Sequence, residues 1–248
     1  MDKTTFVLIP GSDGRAWYWH RVVPELRRRG HETVTVEFPL AGTAGLTEYA
    51  DAVVEAVGTR TRTRLVVVAQ SLGAITGPLV CDRLPVDLLV LLNPMVPAPG
   101  ETAGDWWENT GQGEAMTARA VRDGRPTEFD LRTDFFHDVP PEVTEEAFAA
   151  GTEVAELDAV FAQPWPRESW PDVPTRFLQG RDDRFFPPEF QRRIARERLG
   201  MDAIDEMPGG HLLALSEPAE LAARLTAYAS EVHDSDRPRS ASFRPVSR

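Results

Sequence analysis

Cysteine is almost absent from this chain, and its scarcity limits what the protein can be. The 248 residues include one cysteine, Cys81, so no disulfide can form within the chain. Cys81 lies in an apolar part of a predicted helix, which favours a small buried hydrophobe over a reactive thiol. No basic and apolar leader opens the chain, and no apolar run is long enough to span a bilayer. We therefore expect a cytoplasmic protein.

Positive charge is also scarce. The chain holds 27 Lys and Arg residues against 39 Asp and Glu residues, for a formal net charge of −12. Nucleic acids and anionic membranes attract basic surfaces, so neither is an expected partner. Clusters with metal-ligand spacing and glycine fingerprints for dinucleotides or phosphates are lacking as well. We expect a small-molecule substrate, no cofactor, no metal, and a monomer or homodimer.

What the chain does contain is a regular alternation of buried-strand and helical patterns. The six predicted strands span residues 5–9, 33–38, 65–68, 88–92, 173–178 and 203–207. The predicted helices that accompany them span residues 16–29, 46–57, 72–83, 187–199 and 212–232. This order predicts an α/β fold with a mostly parallel six-stranded sheet and helices on both faces.

One long segment interrupts the alternation. Residues 97–170 hold no convincing strand and are rich in Trp, Phe, Pro and acidic residues. Short helices are predicted within it, over residues 115–122, 141–150 and 153–162. We interpret the segment as a helical lid inserted in a core formed by residues 1–96 and 171–232. Residues 233–248 lack periodicity and are expected to form a disordered tail.

The most informative stretch of the sequence spans residues 66–74. An apolar, β-branched strand ends at Gln70 and Ser71, and small residues that can start a helix follow. This strand–turn–helix pattern is typical of a nucleophile elbow, in which small residues flank the serine two positions away. Those positions hold Ala69 and Gly73, so alanine replaces the first glycine of G-x-S-x-G. The alternative role for Ser71 is that of a helix cap.

A nucleophilic serine needs a base within hydrogen-bond reach and a third group that orients the base. Of the five histidines, only His211 follows a late predicted strand, in a glycine-rich turn at the carboxyl edge of the sheet. Two carboxylates, Asp182 and Asp183, follow the preceding strand. The order serine, acid, histidine predicts a catalytic triad. The alternative role for these acids and for His211 is helix capping.

These motifs resemble those of the α/β-hydrolase superfamily over residues 5–230. The family motif G-x-x-D-x-x-x-P matches residues 180–187, and its fourth position, the acid of the triad, is Asp183. The sequences AWYW from Ala16 and HLLALSEP from His211 resemble the branch that holds plant methylesterases and hydroxynitrile lyases. The resemblance implies an α/β-hydrolase fold that lacks the first two antiparallel strands.

The resemblance also implies the rest of the site. The backbone N–H groups of Ser12 and Leu72 are expected to form the oxyanion hole. Gln70 either lines the pocket or pairs with nearby backbone. Leu212, a further pocket residue, stands where hydroxynitrile lyases of this branch carry lysine, so cyanogenic lyase chemistry is not expected. Aromatic lid residues either contact the substrate or form the core of the lid, and these are Trp106, Trp107, Phe135 and Phe136.

The resulting hypothesis is a serine hydrolase that cleaves a carboxylic ester, thioester or lactone with an apolar or aromatic portion. Its triad of Ser71, Asp183 and His211 would act through an acyl-enzyme. Two alternatives stay open. One is a non-hydrolytic enzyme on the same scaffold, such as a cyclase, C–C lyase or acyltransferase of natural-product metabolism. The other is a ligand-binding protein that has lost turnover.

Overall fold

The strands of this chain form one sheet in which every pair of neighbours is parallel. The computed structural model describes residues 3–39, 41–60, 63–149 and 157–235. The strands are β1 (Thr4–Ile9), β2 (Glu32–Thr35), β3 (Arg64–Gln70), β4 (Leu88–Leu92), β5 (Thr175–Gly180) and β6 (Asp205–Met207). Their order across the sheet is β2-β1-β3-β4-β5-β6. The predicted fold class is confirmed.

The central strands are buried on both faces because most of their residues are Val, Leu, Ile or Phe. Alternate residues of β3 enter two different apolar cores. Val67 and Ala69 belong to one core, and Val66 and Val68 belong to the other. Strands of a parallel sheet that is covered on both faces have this two-sided burial.

Helices supply the other half of each core. They are α1 (Val22–Arg28), α2 (Leu46–Val57), α3 (Gly73–Val80), α4 (Ala103–Thr110), α5 (Gln112–Arg122), α6 (Leu131–Asp134), α7 (Pro141–Ala149), α8 (Asp158–Ala162), α9 (Pro188–Leu199), α10 (Leu213–Ser216) and α11 (Pro218–Ser235). Helices α2, α3 and α9 contribute to the core on one face, and α1 and α11 to the core on the other. Within the described ranges, no helix is both long and apolar enough to cross a membrane.

Two predicted helices are divided, and a proline accounts for each division. The helix predicted over residues 16–29 is a 3-10 turn at Ala16–Trp19 followed by α1. Pro24 has no N–H to donate to the preceding turn, so a helix can contain it only near its start. The helix predicted over residues 212–232 is divided into α10 and α11 because Pro218 disfavours helical backbone at the residue before it.

The ends of several elements also differ from their predicted positions. The strand predicted over residues 33–38 ends at Thr35, although Val36 still donates a hydrogen bond to Leu8. The last helix extends to Ser235, beyond the predicted start of the tail at residue 233. The remaining tail residues, 236–248, lie outside the described residues.

Residues 97–170, named here the β4–β5 segment, contain the five helices α4–α8 within their described part. Helices α5, α7 and α8 correspond to the three predicted helices. Residues 150 and 153–156 of those predictions lie outside the described residues. Helix α4 was not predicted, although Thr102 caps it by accepting a hydrogen bond from the N–H of Asp105. An antiparallel bridge between Thr102 and Pro164 brings the two ends of the segment together.

Candidate active site

Three turns at the carboxyl edge of the sheet carry the predicted triad. Ser71 follows β3, Asp183 follows β5 and His211 follows β6. The strand between β3 and β5 is β4, so the sheet brings these turns to one edge. Sites in parallel α/β sheets form at this edge.

Ser71 occupies a strained turn between β3 and α3. Its φ angle of 49° lies in the left-handed region, which costs a non-glycine residue free energy and is common at functional sites. The backbone holds this conformation from both sides: the N–H of Ser71 donates to Leu92, and the carbonyl of Ser71 accepts from Met95, both at 3.0 Å. Strand β4 and the residues just after it therefore hold the backbone of the serine in place.

Small residues around Ser71 make the tight turn possible. A Cβ at Gly73 would lie 2.2 Å from the carbonyl oxygen of Pro10, so only glycine fits there. Ala69 replaces the other expected glycine, and a compensating glycine faces it: a Cβ at Gly77 would lie 2.9 Å from the Cβ of Ala69. The alanine is accommodated because Gly77 leaves room for its methyl group.

His211 lies between the serine and the acid. Its Nε2 is 3.1 Å from Ser71 Oγ, and its Nδ1 is 2.8 Å from Asp183 Oδ2. A carboxylate accepts hydrogen bonds only, so these partners assign the imidazole proton to Nδ1 and leave Nε2 as the acceptor. Both His211 and Asp183 have no exposed surface, whereas Ser71 is 7% exposed. The arrangement leaves the serine as the accessible end of a buried hydrogen-bonded chain.

The structure places Asp183, and not Asp182, against His211. Asp183 Oδ1 accepts hydrogen bonds from the N–H groups of Phe185 and Phe186, both at 2.9 Å. The amide of Gln179 adds a donor 3.4 Å from Oδ2. These bonds leave the second oxygen directed at the imidazole, as an orienting carboxylate requires.

Asp182 has a different set of contacts. Its side chain accepts a hydrogen bond from the N–H of Gly209 at 3.2 Å, and its own N–H donates to the carbonyl of Gly209 at 2.9 Å. It thereby ties the turn after β5 to the turn that carries His211. The side chain of Asp182 thus contacts the backbone of that turn and not the imidazole of His211.

The loop after β1 crosses directly over the serine. A Cβ at Gly11 would lie 2.2 Å from Gln70 Oε1 and 3.3 Å from the Cβ of Ser71. The next residue is Ser12, which is exposed, and Leu72 stands at the start of α3, where backbone N–H groups have no partner inside the helix. Gln70 is buried beneath this loop. The two predicted oxyanion donors therefore belong to the loop that lies against Ser71 and to the residue that follows Ser71.

Three phenylalanine rings surround the imidazole of His211. The ring centroids of Phe135, Phe185 and Phe186 lie 4.6, 5.4 and 5.0 Å from that of His211. Phe135 comes from the β4–β5 segment and was predicted, whereas the other two follow the acid and were missed. The sequence signal for them was the apolar pair directly after Asp183 and Arg184 in the acid motif.

The other side chains predicted to contact the substrate pack against other parts of the protein. Trp106 has no exposed surface, donates its indole N–H to Val96 and packs against Phe186. It therefore belongs to the core, where a substrate cannot reach it without displacing other side chains. The partly buried Trp107 packs against Phe185. The two remaining residues also have other contacts: Phe136 packs against Phe148, and Leu212 joins the core around α11.

The β4–β5 segment also contacts the turns that carry His211 and Asp183 through hydrogen bonds that sequence reasoning missed. Asp138 Oδ2 accepts a hydrogen bond from the N–H of Gly210 at 2.6 Å. The neighbouring His137 donates from Nε2 to the carbonyl of Asp182 at 3.1 Å. Burial lowers the pKa of His137, which favours the neutral ring in this contact.

The model of the alpha/beta hydrolase family matches residues 6–224 of this sequence. The chain belongs to the alpha/beta hydrolase family. The predicted family is thus confirmed.

Relatives of this alpha/beta hydrolase have been named as esterases and as a lyase. A rice protein (Oryza sativa subsp. indica) named "Probable esterase PIR7A" is 34% identical over 110 residues, which cover 40% of this chain and 42% of that protein. The chain thus matches less than half the length of this relative. An Arabidopsis thaliana protein named "Alpha-hydroxynitrile lyase" is 24% identical over 255 residues, 92% of this chain and 98% of that protein.

Among solved structures, that of polyneuridine aldehyde esterase is similar to this alpha/beta hydrolase with a TM-score of 0.73. The two sequences are 21% identical, and the match covers 92% of this chain and 99% of the other. At this identity the likeness establishes the shared fold. What the site does is argued from its own geometry.

Proposed function

We propose that this alpha/beta hydrolase cleaves a carboxylic ester, thioester or lactone through an acyl-enzyme on Ser71. The observation that carries the proposal is the hydrogen-bonded chain from Ser71 Oγ through His211 to Asp183, with distances of 3.1 and 2.8 Å. A serine hydroxyl in contact with a neutral, oriented imidazole is an activated nucleophile. The esterase names of several relatives agree with this chemistry.

The first half of the reaction forms the acyl-enzyme. Ser71 Oγ attacks the substrate carbonyl while its proton passes to His211 Nε2. Asp183 stabilises the imidazolium that results. The carbonyl oxygen becomes an oxyanion, for which the N–H groups of Ser12 and Leu72 are the proposed donors, each lowering the barrier by roughly 3 kcal/mol. His211 then returns the proton to the leaving alcohol or thiol as the carbonyl reforms.

The second half repeats these steps with water as the nucleophile. His211 removes a proton from water, the hydroxide attacks the acyl carbon, and the second oxyanion uses the same donors. Collapse of this intermediate releases the carboxylic acid and returns the proton to Ser71. The chemistry requires no group that these residues do not supply.

One experiment separates hydrolysis from the alternative of a cyclase, lyase or transferase. The relative named as a lyase supports that alternative. The protein is incubated with a p-nitrophenyl ester in water enriched in oxygen-18, and the masses of the products are measured by mass spectrometry. Hydrolysis predicts one labelled oxygen in each carboxylic acid formed by the enzyme. Turnover that depends on Ser71 but yields products without label would overturn the hydrolase proposal in favour of a cyclase, lyase or transferase.

The phenylalanine rings around His211 lead to a prediction about substrate choice. Phe135→Ala removes a ring in contact with the imidazole, and the loss of one aromatic contact with a substrate costs about 1.4 kcal/mol. We expect kcat/KM for p-nitrophenyl benzoate to fall about tenfold while that for p-nitrophenyl acetate changes less than threefold. Steady-state kinetics with both esters measures the difference.

The neighbouring Phe136 provides the matched control. It is also a partly buried phenylalanine of the β4–β5 segment, but its ring contact is with Phe148 and not with His211. Phe136→Ala is therefore expected to affect both esters equally. An equal loss for both esters in Phe135→Ala would show that Phe135 does not contact the substrate.

A further inference from the structure

Asn93 is a fully buried polar residue that lies at the end of β4. Neither the triad motif nor the reaction described above uses it. Its φ angle is 42°, so, like Ser71, it occupies the left-handed region. Asparagine tolerates this conformation better than most residues. A buried amide in a strained backbone position requires an explanation from its partners.

The side chain of Asn93 joins two of the three turns that carry the triad. Its Nδ2 donates to the carbonyl oxygens of Gly210 at 3.1 Å and His211 at 2.9 Å. Its Oδ1 accepts from the N–H of Gly180 at 2.7 Å, at the end of the strand that leads to Asp183. Both amide protons and the oxygen are therefore used, and a flipped amide would direct oxygen at two carbonyl oxygens.

The backbone around Asn93 reaches the third turn. Leu92 accepts the hydrogen bond of the Ser71 N–H, and Met95 donates to the Ser71 carbonyl. The N–H of Asn93 itself donates to Leu178 of β5 at 3.0 Å. Three residues, Leu92, Asn93 and Met95, thus contact the backbone of all three triad-bearing segments. Among the described residues, the end of β4 is the only strand end whose hydrogen bonds reach all three of these segments.

We propose that Asn93 is a positioning residue that holds the backbone of His211 and the end of β5 at the separation that the triad requires. The inference rests on the proposed serine-hydrolase function. The mechanism is indirect, because Asn93 contacts the main chain of His211 and not its imidazole. Misplacement of a reacting group by about 1 Å can reduce a rate by roughly 100-fold.

Two variants test different parts of the proposal. Asn93→Gly removes the side chain while keeping a residue suited to a positive φ. Asn93→Asp keeps the shape and the acceptor for the Gly180 N–H, but it replaces the donor with an oxygen that faces two carbonyl oxygens. We expect kcat for p-nitrophenyl acetate to fall roughly 10- to 100-fold in both variants, with KM within about threefold of the wild-type value.

The control is Thr5→Val, a buried polar substitution at the opposite end of the sheet. Thr5 has no exposed surface, and its hydroxyl hydrogen-bonds Thr63 at 2.6 Å and Glu32 at 3.3 Å. Its loss is expected to lower the melting temperature without changing kcat. A purely structural role for Asn93 would make its variants behave like this control.

A double-mutant cycle provides a second readout. If Asn93 acts by aligning His211 with Asp183, its removal costs little when the acid has already been replaced. We expect Asn93→Gly to lower kcat less than threefold in an Asp183→Asn background, because residues that act as a unit are non-additive. Fully multiplicative effects would overturn the proposal.

A spectroscopic measurement covers the case in which the proposed reaction is wrong. The proton between His211 Nδ1 and Asp183 Oδ2 is expected to give a proton NMR resonance downfield of the amide region in the wild type and in Thr5→Val. It should weaken or disappear in Asn93→Gly and Asn93→Asp. Wild type that gives this resonance but neither hydrolyses esters nor reacts with a phosphonate would disprove the function alone. Wild-type-like kcat and resonance in folded Asn93 variants would disprove the inference alone.

Discussion

Ser71→Ala is expected to lower kcat for p-nitrophenyl esters by roughly 10⁴-fold or more, because among the described residues it is the Ser71 hydroxyl that hydrogen-bonds His211 Nε2. The alanine side chain also removes the hydrogen-bond partner of His211 Nε2. Binding of the substrate is expected to persist, since the proposed oxyanion donors are main-chain groups that the substitution leaves in place. Single-turnover kinetics and a binding measurement with a substrate analogue check both statements.

Ser12→Ala is the matched control for this prediction. It removes a hydroxyl from the loop that crosses over Ser71, but it leaves the backbone N–H that is proposed as an oxyanion donor. We expect a change in kcat of less than about fivefold. A large loss of kcat in Ser12→Ala together with little loss in Ser71→Ala would show that Ser71 is not the nucleophile. That result would contradict the proposed chemistry.

Asp183→Asn is expected to lower kcat by about 10⁴-fold without unfolding the protein. The asparagine oxygen can keep the hydrogen bonds from Phe185 and Phe186, so the NH₂ group then faces His211 Nδ1. The imidazole must accept that bond, and its proton moves to Nε2. In this tautomer Nε2 cannot accept a proton from Ser71, so attack is blocked.

Asp182→Asn tests whether the charge of the Asp182 carboxylate is needed for the reaction or whether Asp182 only supports the local backbone structure. Its oxygen accepts a hydrogen bond from the Gly209 N–H, and an amide oxygen can accept the same bond. We expect kcat to change less than about threefold and the melting temperature to fall slightly. Equal losses of kcat in Asp182→Asn and Asp183→Asn would contradict the geometry, which selects Asp183 as the acid that orients His211.

The sequence predicted the sheet well because its strands have strong local signals. The runs that form β1, β3 and β4 are apolar enough to be recognised without knowledge of their neighbours. The errors arose where one residue overrides a periodic pattern. Pro24 and Pro218 each divide a helix whose apolar spacing continues through them, and the effect depends on the position of proline within the turn.

The hydrogen-bonded grouping of Ser71, His211 and Asp183 could be predicted because these residues are tied to chain order and to local motifs. The residues that were missed lack such a signal. Asn93 and Gln179 are single amides at the ends of strands, and their importance depends on which carbonyl and N–H groups the fold brings to them. Long-range contacts of this kind cannot be read from the spacing of residues in one sequence.

The β4–β5 segment shows the same limit. The sequence leaves open whether the aromatic residues of this segment contact the substrate or form a core, because periodicity does not distinguish the wall of a pocket from a core. The structure buries Trp106 completely and places Phe135 against His211. Gln163 from this segment also accepts a hydrogen bond from the N–H of Leu46, at the start of α2.

The measurement that tests the central claim most directly is the reaction of the protein with a serine-directed p-nitrophenyl phosphonate. The mass of the intact protein is recorded, and peptide mapping locates the modified residue. The account predicts one adduct per chain, on Ser71, and no adduct in Ser71→Ala or Asp183→Asn on the same time scale. Absence of an adduct in the wild type, or an adduct on another residue, would contradict the claim that Ser71 is a nucleophile activated by His211 and Asp183.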